Sequence, residues 1–447
     1  MKNLGIHLLT KVRHRIPPGM TLKIQSHRPP EPFGPDYNAR KPRGAVPRWY
    51  PSGNRIRVAL DFPPVSTRPV KKFKEHTLTI TGDKNAYRFD PENYDGGPHV
   101  VTCYLDNKPS KEYIAKIYDG VDYPMREDPW CDERKYIECM DCMSRADCDY
   151  SIEAHAYKDL KGTAEGVLVP KFKGSWTFSL ETGSSSEPRR WVRMILLKLV
   201  KGGTVQEMIS RGALPDESKR LSVLRQTIEA HNKLWWNSRI TVNKVFCISP
   251  KDVIIGKDWS IKLIGFRRAK LWRYTTYRAH PKDCDGHPEK PESPISRYWP
   301  SSREGENFFG EYGTWRDWIP KPWITDKKLA VEWLVNTFGD SPDYRQPGHE
   351  FFEGYGVRKS SPATRLLLED LKRRLNINYE NDTFDKEKDA AVEDKATVDK
   401  EEDTTDEEED TTDEESDITD EEMDPDNEDN DDNGPPCKKQ RFSSPEE

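Results

Sequence analysis

Apolar and polar residues alternate with a period of two early in the chain and recur at helical spacing later. Thr77 to Thr81, Val100 to Tyr104, Tyr113 to Tyr118 and Trp191 to Val200 have strand length and composition, and predict β-strands. In Tyr113-Ile114-Ala115-Lys116-Ile117-Tyr118 the alternation sets Tyr113, Ala115 and Ile117 on one face and Ile114, Lys116 and Tyr118 on the other. Taken alone, that is a half-buried strand with one exposed lysine. Leu221, Leu224, Ile228, His231 and Trp235 follow at spacings of three and four and predict a helix with one core face. Asp149 to Tyr157 opens on capping residues and then reads as helix. Another helix is expected from Pro362 to Leu375, with an apolar stripe of Leu366, Leu367 and Leu371 and basic residues near its end. Sheet segments followed by helical ones predict an α+β fold, a small β-rich lobe and then a larger helical lobe.

Outside residues 76–376 this patterning fades. Residues 1–75 hold 16 Lys+Arg against 4 Asp+Glu, and prolines recur from Pro17 to Pro42, which predicts a basic and mostly irregular arm. Such an arm attracts nucleic acid or another polyanion through phosphate contacts; without a pattern of stacking aromatics, a linker packed on the domain is favoured. Residues 380–447 carry 31 of the chain's 78 Asp+Glu and 7 of its 71 Lys+Arg, which leaves 47 and 64 for the rest. The formal net charge of −7 therefore hides a strongly basic body and a strongly acidic tail.

In that tail a seven-residue repeat begins at Asp403, Asp410 and Asp417. It cannot bury enough apolar surface to offset its ordering entropy, so disorder is expected. Thr405, Thr412, Ser416 and Thr419 match the loose pattern of acid-directed kinase substrates, as does any such residue in an acidic tract. Lys438, Lys439 and Arg441 form a basic island similar to a short nuclear import signal. The expected divisions are thus 1–75 (arm), 76–200 (β-rich lobe with a cysteine-containing insertion), 201–376 (helical lobe) and 377–447 (acidic tail).

No stretch approaches the roughly 18 to 20 apolar residues that cross a bilayer, and the Leu4 to Leu9 run is too short for a signal peptide, so a soluble intracellular protein with no membrane association is expected. Eight cysteines in 447 residues are too sparse for a disulfide framework. Of Cys131, Cys139, Cys142 and Cys148, only Cys139 and Cys142 have a zinc-type spacing, and the wide gaps favour free thiols over a metal site. The aromatic run from Tyr298 to Trp323 reads either as core or as interface anchors.

Candidate chemistry centres on Lys116. Glu153, on the helix that follows, is a carboxylate able to pair with its ammonium and hold it against phosphates. The order Asp95-Gly96-Gly97-Pro98, Ile114-Ala115-Lys116, Glu153, Val169 to Trp176, Met194 to Val200, Gly202-Gly203-Thr204 resembles the protein kinase fold, and in particular the divergent kinase-like family expanded in filamentous fungi. The resemblance covers roughly residues 76–376. It implies that Lys116 and Glu153 grip nucleotide phosphates, that Gly96 and Gly97 cover them, and that adenine lies against Leu197 and Leu199. Two adjacent glycines and a proline without an amide make that cover a poor one.

Where the family places His-x-Asp and, five residues on, Asn, this chain has Val245-Phe246-Cys247 and Asp252. Cys247 thus stands at the position of the catalytic base, and a thiol with an ordinary pKa near 8.5 is mostly neutral at pH 7. Asp252 could still hold one Mg²⁺. The metal-binding Asp-Phe-Gly is represented by Gly265-Phe266-Arg267, in which Gly265 offers no ligand and Arg267 and Arg268 add positive charge. The reading is a pseudokinase that binds ATP weakly, with Mg²⁺ doubtful, and acts as a nucleotide-responsive or scaffolding module for protein partners. The alternatives are a weakly active atypical Ser/Thr protein kinase that uses Asp252, and a nuclear acidic adaptor.

Overall fold

A computed structural model describes residues 16–34, 37–39, 55–64, 74–84, 97–123, 141–181, 189–242, 248–275, 289–300, 302–339 and 341–345, with isolated positions at 347, 351, 366, 369, 370 and 373. The chain divides into one unit spanning Met1–Leu375 and another spanning Asn376–Glu447. The first is a mixed α/β unit, β-rich at its amino-terminal side and helical later.

Strands β1 (Thr21–Ser26), β2 (Glu75–Asp83), β3 (His99–Leu105), β4 (Glu112–Tyr118), β5 (Phe172–Leu180) and β6 (Arg190–Lys198) form an antiparallel barrel in the order β1-β2-β3-β4-β6-β5, closed by β1 against β5. Two helices interrupt this run, α1 (Arg55–Asp61) and α2 (Cys142–Asp159). The barrel is filled by alternate residues of its strands, among them Leu22, Ile24, Leu78, Ile80, Val101, Ala115, Ile117, Phe178, Val192, Met194 and Leu196.

The irregular arm expected for residues 1–75 is corrected here, because Thr21–Ser26 is a full barrel strand and 55–61 is helical. Leu22 and Ile24 point inward while Lys23 and Gln25 are partly or fully exposed, so the alternation is there but short and flanked by prolines. Without β1 the edges of β2 and β5 would be open; closure removes both.

Helix α2 lies against β4, β5 and β6. It starts earlier than the expected Asp149. Asp141 is its N-cap, accepting hydrogen bonds from Ser144 N at 2.8 Å and Ser144 Oγ at 2.7 Å. Asp149 therefore sits in the helix interior, one turn before Glu153. The far face of β4, where one exposed lysine stood on the strand pattern alone, is covered by this helix, and Lys116 and Tyr118 are both buried.

Beyond β6 come β7 (Gly203–Thr204), α3 (Val205–Ser210), α4 (Glu217–Ser238), β8 (Ile240–Thr241), β9 (Val253–Ile255), β10 (Ile261–Leu263), β11 (Lys270–Leu271), α5 (Pro294–Arg297), α6 (Arg303–Phe309), α7 (Pro322–Thr325) and α8 (Lys327–Phe338). A capping box between Thr204 and Glu207 starts α3, and Asp216 caps α4. Leu224, Ile228 and His231 of the expected α4 face are buried, joined by Val223, Thr227 and Leu234, whereas Leu221 and Trp235 lie at its margin.

The aromatic run is core: Tyr298, Phe308, Phe309, Trp315 and Trp318 are fully buried, and Phe308 stacks on Trp315 with ring centroids 5.0 Å apart. Of the helix expected at 362–375, positions 366, 369, 370 and 373 are helical and Leu366 is exposed; the rest lies outside the described residues, as does the acidic tail. Among the described residues no helix is long and apolar enough to cross a membrane.

Candidate functional site

Glu153 is the hub of the site. Its side chain is wholly buried and takes three donors from two segments: Lys116 Nζ and, at 2.5 Å, Tyr118 Oη, both of β4, and the backbone N of Phe266 at 3.1 Å. Lys116 and Tyr118 are two residues apart on one strand face, so the strand's own period aims both at the same carboxylate. Burial, and secondarily the charge of Glu153, push the Tyr118 hydroxyl well above its ordinary pKa, which keeps it a donor. Lys116, only 3% exposed, has its ammonium directed at the helix rather than at solvent.

One turn back on the same helix face is a second buried carboxylate, Asp149. It accepts from Tyr123 Oη at 3.2 Å and from Arg267 Nη1 at 3.2 Å. Burial raises the pKa of Asp149, and Arg267, Arg268 and Arg145 oppose that rise. Gly97 faces the same guanidinium. A Cβ built on Gly97 would stand 3.1 Å from Arg267 Nη1, 3.3 Å from its Cζ and 3.6 Å from its Nε. The side chain of Arg267 thus lies between the residue expected to cover phosphates and helix α2.

On the opposite wall, the β9-β10 hairpin carries Asp252 just before it and Gly265 just after. Gly265 has φ +100°, and a Cβ there would come within 2.2 Å of Asp252 Oδ1. The carboxylate of Asp252 fills the space that a side chain at 265 would take, and the left-handed backbone itself demands glycine. Phe266 is fully buried against the edge of Tyr157. Cys247 and Gly96 lie outside the described residues. The next position, Ile248, is anchored through its carbonyl, which accepts from Trp315 Nε1 at 2.8 Å.

Leu197 is buried in β6 between Ile114 and Phe172, and the amide of Leu199 donates to Glu112 O at 3.3 Å. Cys142 and Cys148 are buried within α2, Cys148 Sγ donating to Phe33 O at 3.1 Å; Cys131 and Cys139 lie outside the described residues, and among those that are described no cluster of three metal-ligating side chains occurs.

The structure therefore brings Lys116 with Glu153, Gly97 with Arg267, and Asp252 with Gly265. Tyr118, Tyr123 and Asp149 escaped the sequence reading. The first had a signal, two residues from Lys116, and the last another, four residues from Glu153.

No family model matches the chain, and no curated protein matches it. Among solved structures it is similar to "Rad53 1-466 in complex with AMP-PNP" (14% identity, 38% of this chain and 36% of that one, TM-score 0.25). It is also similar to "the bifunctional kinase-methyltransferase WbdD" (10% identity, 68% of this chain and 49% of that one, TM-score 0.31). The chain thus spans between a third and a half of the length of these two proteins.

Proposed function

We propose that this chain is a protein-kinase-like protein of two-lobe architecture that does not transfer phosphate and serves as an interaction module for other proteins. The observation that carries this reading is the position of Arg267: its guanidinium, paired with Asp149, stands under Gly97, where the kinase resemblance calls for nucleotide phosphates.

The residues do not fit Mg²⁺-ATP. Gly265 supplies no oxygen ligand, and two arginines raise the local positive charge that a divalent ion would have to meet. Lys116 is only 3% exposed, so little of its ammonium is open to a ligand. The Lys116, Glu153 and Phe266 linkage ties β4, α2 and the segment after β10 together, and it needs no ligand to complete it.

The test is phosphotransfer from ATP to a generic protein substrate with Mg²⁺ or Mn²⁺. No turnover above the buffer blank is expected. Turnover that co-purifies with the protein and disappears in Asp252→Ala overturns the proposal.

One observation favours a second reading, an atypical kinase: the Asp252 carboxylate fills the place beside Gly265. A single acid there would be the only metal anchor contributed by the described part of this wall, and phosphoryl transfer depends largely on positioning and charge. The Asp252→Ala variant separates the two readings.

A further inference from the structure

At one end of the barrel, the start of β2, the β3-β4 hairpin and the start of β5 border a solvent-open concavity of about 320 Å³. Lys74, Lys108, Lys111 and Lys173 line it, from three separate segments of the chain. Among the described residues none of these four ammoniums has an ion-pair or side-chain hydrogen-bond partner. The acid on the cavity wall, Asp106, is already engaged, with His76 Nδ1 at 2.7 Å and the amide of Thr77 at 3.1 Å. The charge of Lys108 also acts on Asp106, and one carboxylate beside four ammoniums leaves an excess of positive charge around the concavity.

The local backbone is shaped for this gathering. Asp106 and Asn107 both have positive φ, the geometry of a tight hairpin turn, and the amide of Lys108 closes that turn onto Leu105 O at 2.9 Å. In β5 the register shifts between Phe172 and Ser175, a bulge centred on Gly174 at φ +100°. The bulge lets Trp176 Nε1 donate to Lys173 O at 3.1 Å, so the indole forms a wall while the lysine side chain stays exposed. His76 meets that indole edge-on at 5.2 Å.

We infer that this cavity is a binding site for a compact polyphosphate, a small molecule that carries several phosphate groups close together. Lysines act as point charges toward phosphate, and four of them around a cavity of this size suit a small multiply charged anion better than one carboxylate. The inference is independent of the reading of the Lys116 cleft.

The experiment is calorimetric titration of the full chain with inorganic tripolyphosphate. It compares the wild type with a triple variant, Lys108→Ala, Lys111→Ala, Lys173→Ala, and with a control that loses three exposed lysines elsewhere, Lys158→Ala, Lys161→Ala, Lys201→Ala. All six side chains are exposed, so both variants keep the core intact. The site predicts one-to-one binding, weakened roughly tenfold in the first variant and less than about twofold in the control. No binding to the wild type, equal losses in both variants, or no loss in the first overturns it. So does tighter binding of a polyglutamate peptide or of a single-stranded oligonucleotide than of tripolyphosphate.

Discussion

Two walls face the candidate cleft, one made by β4 and α2 and the other by residues 248–268. On the first, Lys116, Tyr118 and Glu153 hold one another in a fully buried cluster, as a phosphate grip would require. On the second, the positions that would hold metal contact other parts of the protein: Asp252 lies against Gly265, and Arg267 reaches across to Asp149. A buried lysine-glutamate pair is thus held by protein contacts alone, with Tyr118 and the Phe266 amide completing it. A lysine-glutamate pair alone is weak grounds for activity.

The strongest way to break this comparison is Glu153→Ala. It strands a buried ammonium, a tyrosine hydroxyl and the Phe266 amide, and should cost about 3–5 kcal/mol in urea unfolding. A loss below 1 kcal/mol would mean that the first wall is not held by this cluster.

Next is Gly265→Asp, the change that would restore a metal ligand by sequence. Its strained backbone and the collision with Asp252 should destabilise the fold by about 1–3 kcal/mol, without any gain of phosphotransfer.

The pH dependence sharpens the account of α2, which also carries His155 and Asp159. Burial holds His155 down at about 4, and holds His27, which shares a hydrogen bond with Tyr150 of α2, at about 3. Their contribution to stability is complete above the ordinary histidine value and is lost as pH falls toward 4. Asp159 has the opposite sign: burial raises it to about 6, so its contribution is complete below the ordinary carboxylate value and is lost as pH rises through 6. Between pH 4 and 6, His155→Gln should flatten the rise of stability with pH and Asp159→Asn should steepen it, each by up to about 1.4 kcal/mol per pH unit. Equal slopes in all three proteins would contradict the burial described for this helix.

The smallest expected effect is that of Arg267→Ala. It takes a cation from the buried Asp149 carboxylate, which keeps its bond from Tyr123 and whose burial-raised pKa favours taking up a proton instead, and should cost about 1–2 kcal/mol, read as a lower urea midpoint.

Much of the barrel was legible because strand length and composition mark β2, β3, β4 and β6, and alternation sets the two faces of β4. β1 was not, because its two inward residues sit in a proline-rich, basic stretch whose composition outweighs so short a pattern. The Lys116 and Glu153 partnership could be read from element order, since a strand and the helix after it had to carry them. The role of Arg267 could not: an arginine in a loop declares its charge but not its partner, and that partner was hidden in a helix whose start was placed eight residues late. The cap, Asp141 with Ser144, lies directly before Cys142, far from any apolar pattern that would announce a helix start.

The most direct test of the central claim is the melting temperature of the full chain with millimolar ATP, with and without Mg²⁺. A ligand that binds only the folded state must raise it. With the Arg267 guanidinium between Gly97 and Asp149 and no side-chain ligand at Gly265, the melting temperature should be unchanged in both conditions. A rise that requires Mg²⁺ and vanishes in Asp252→Ala would contradict the account.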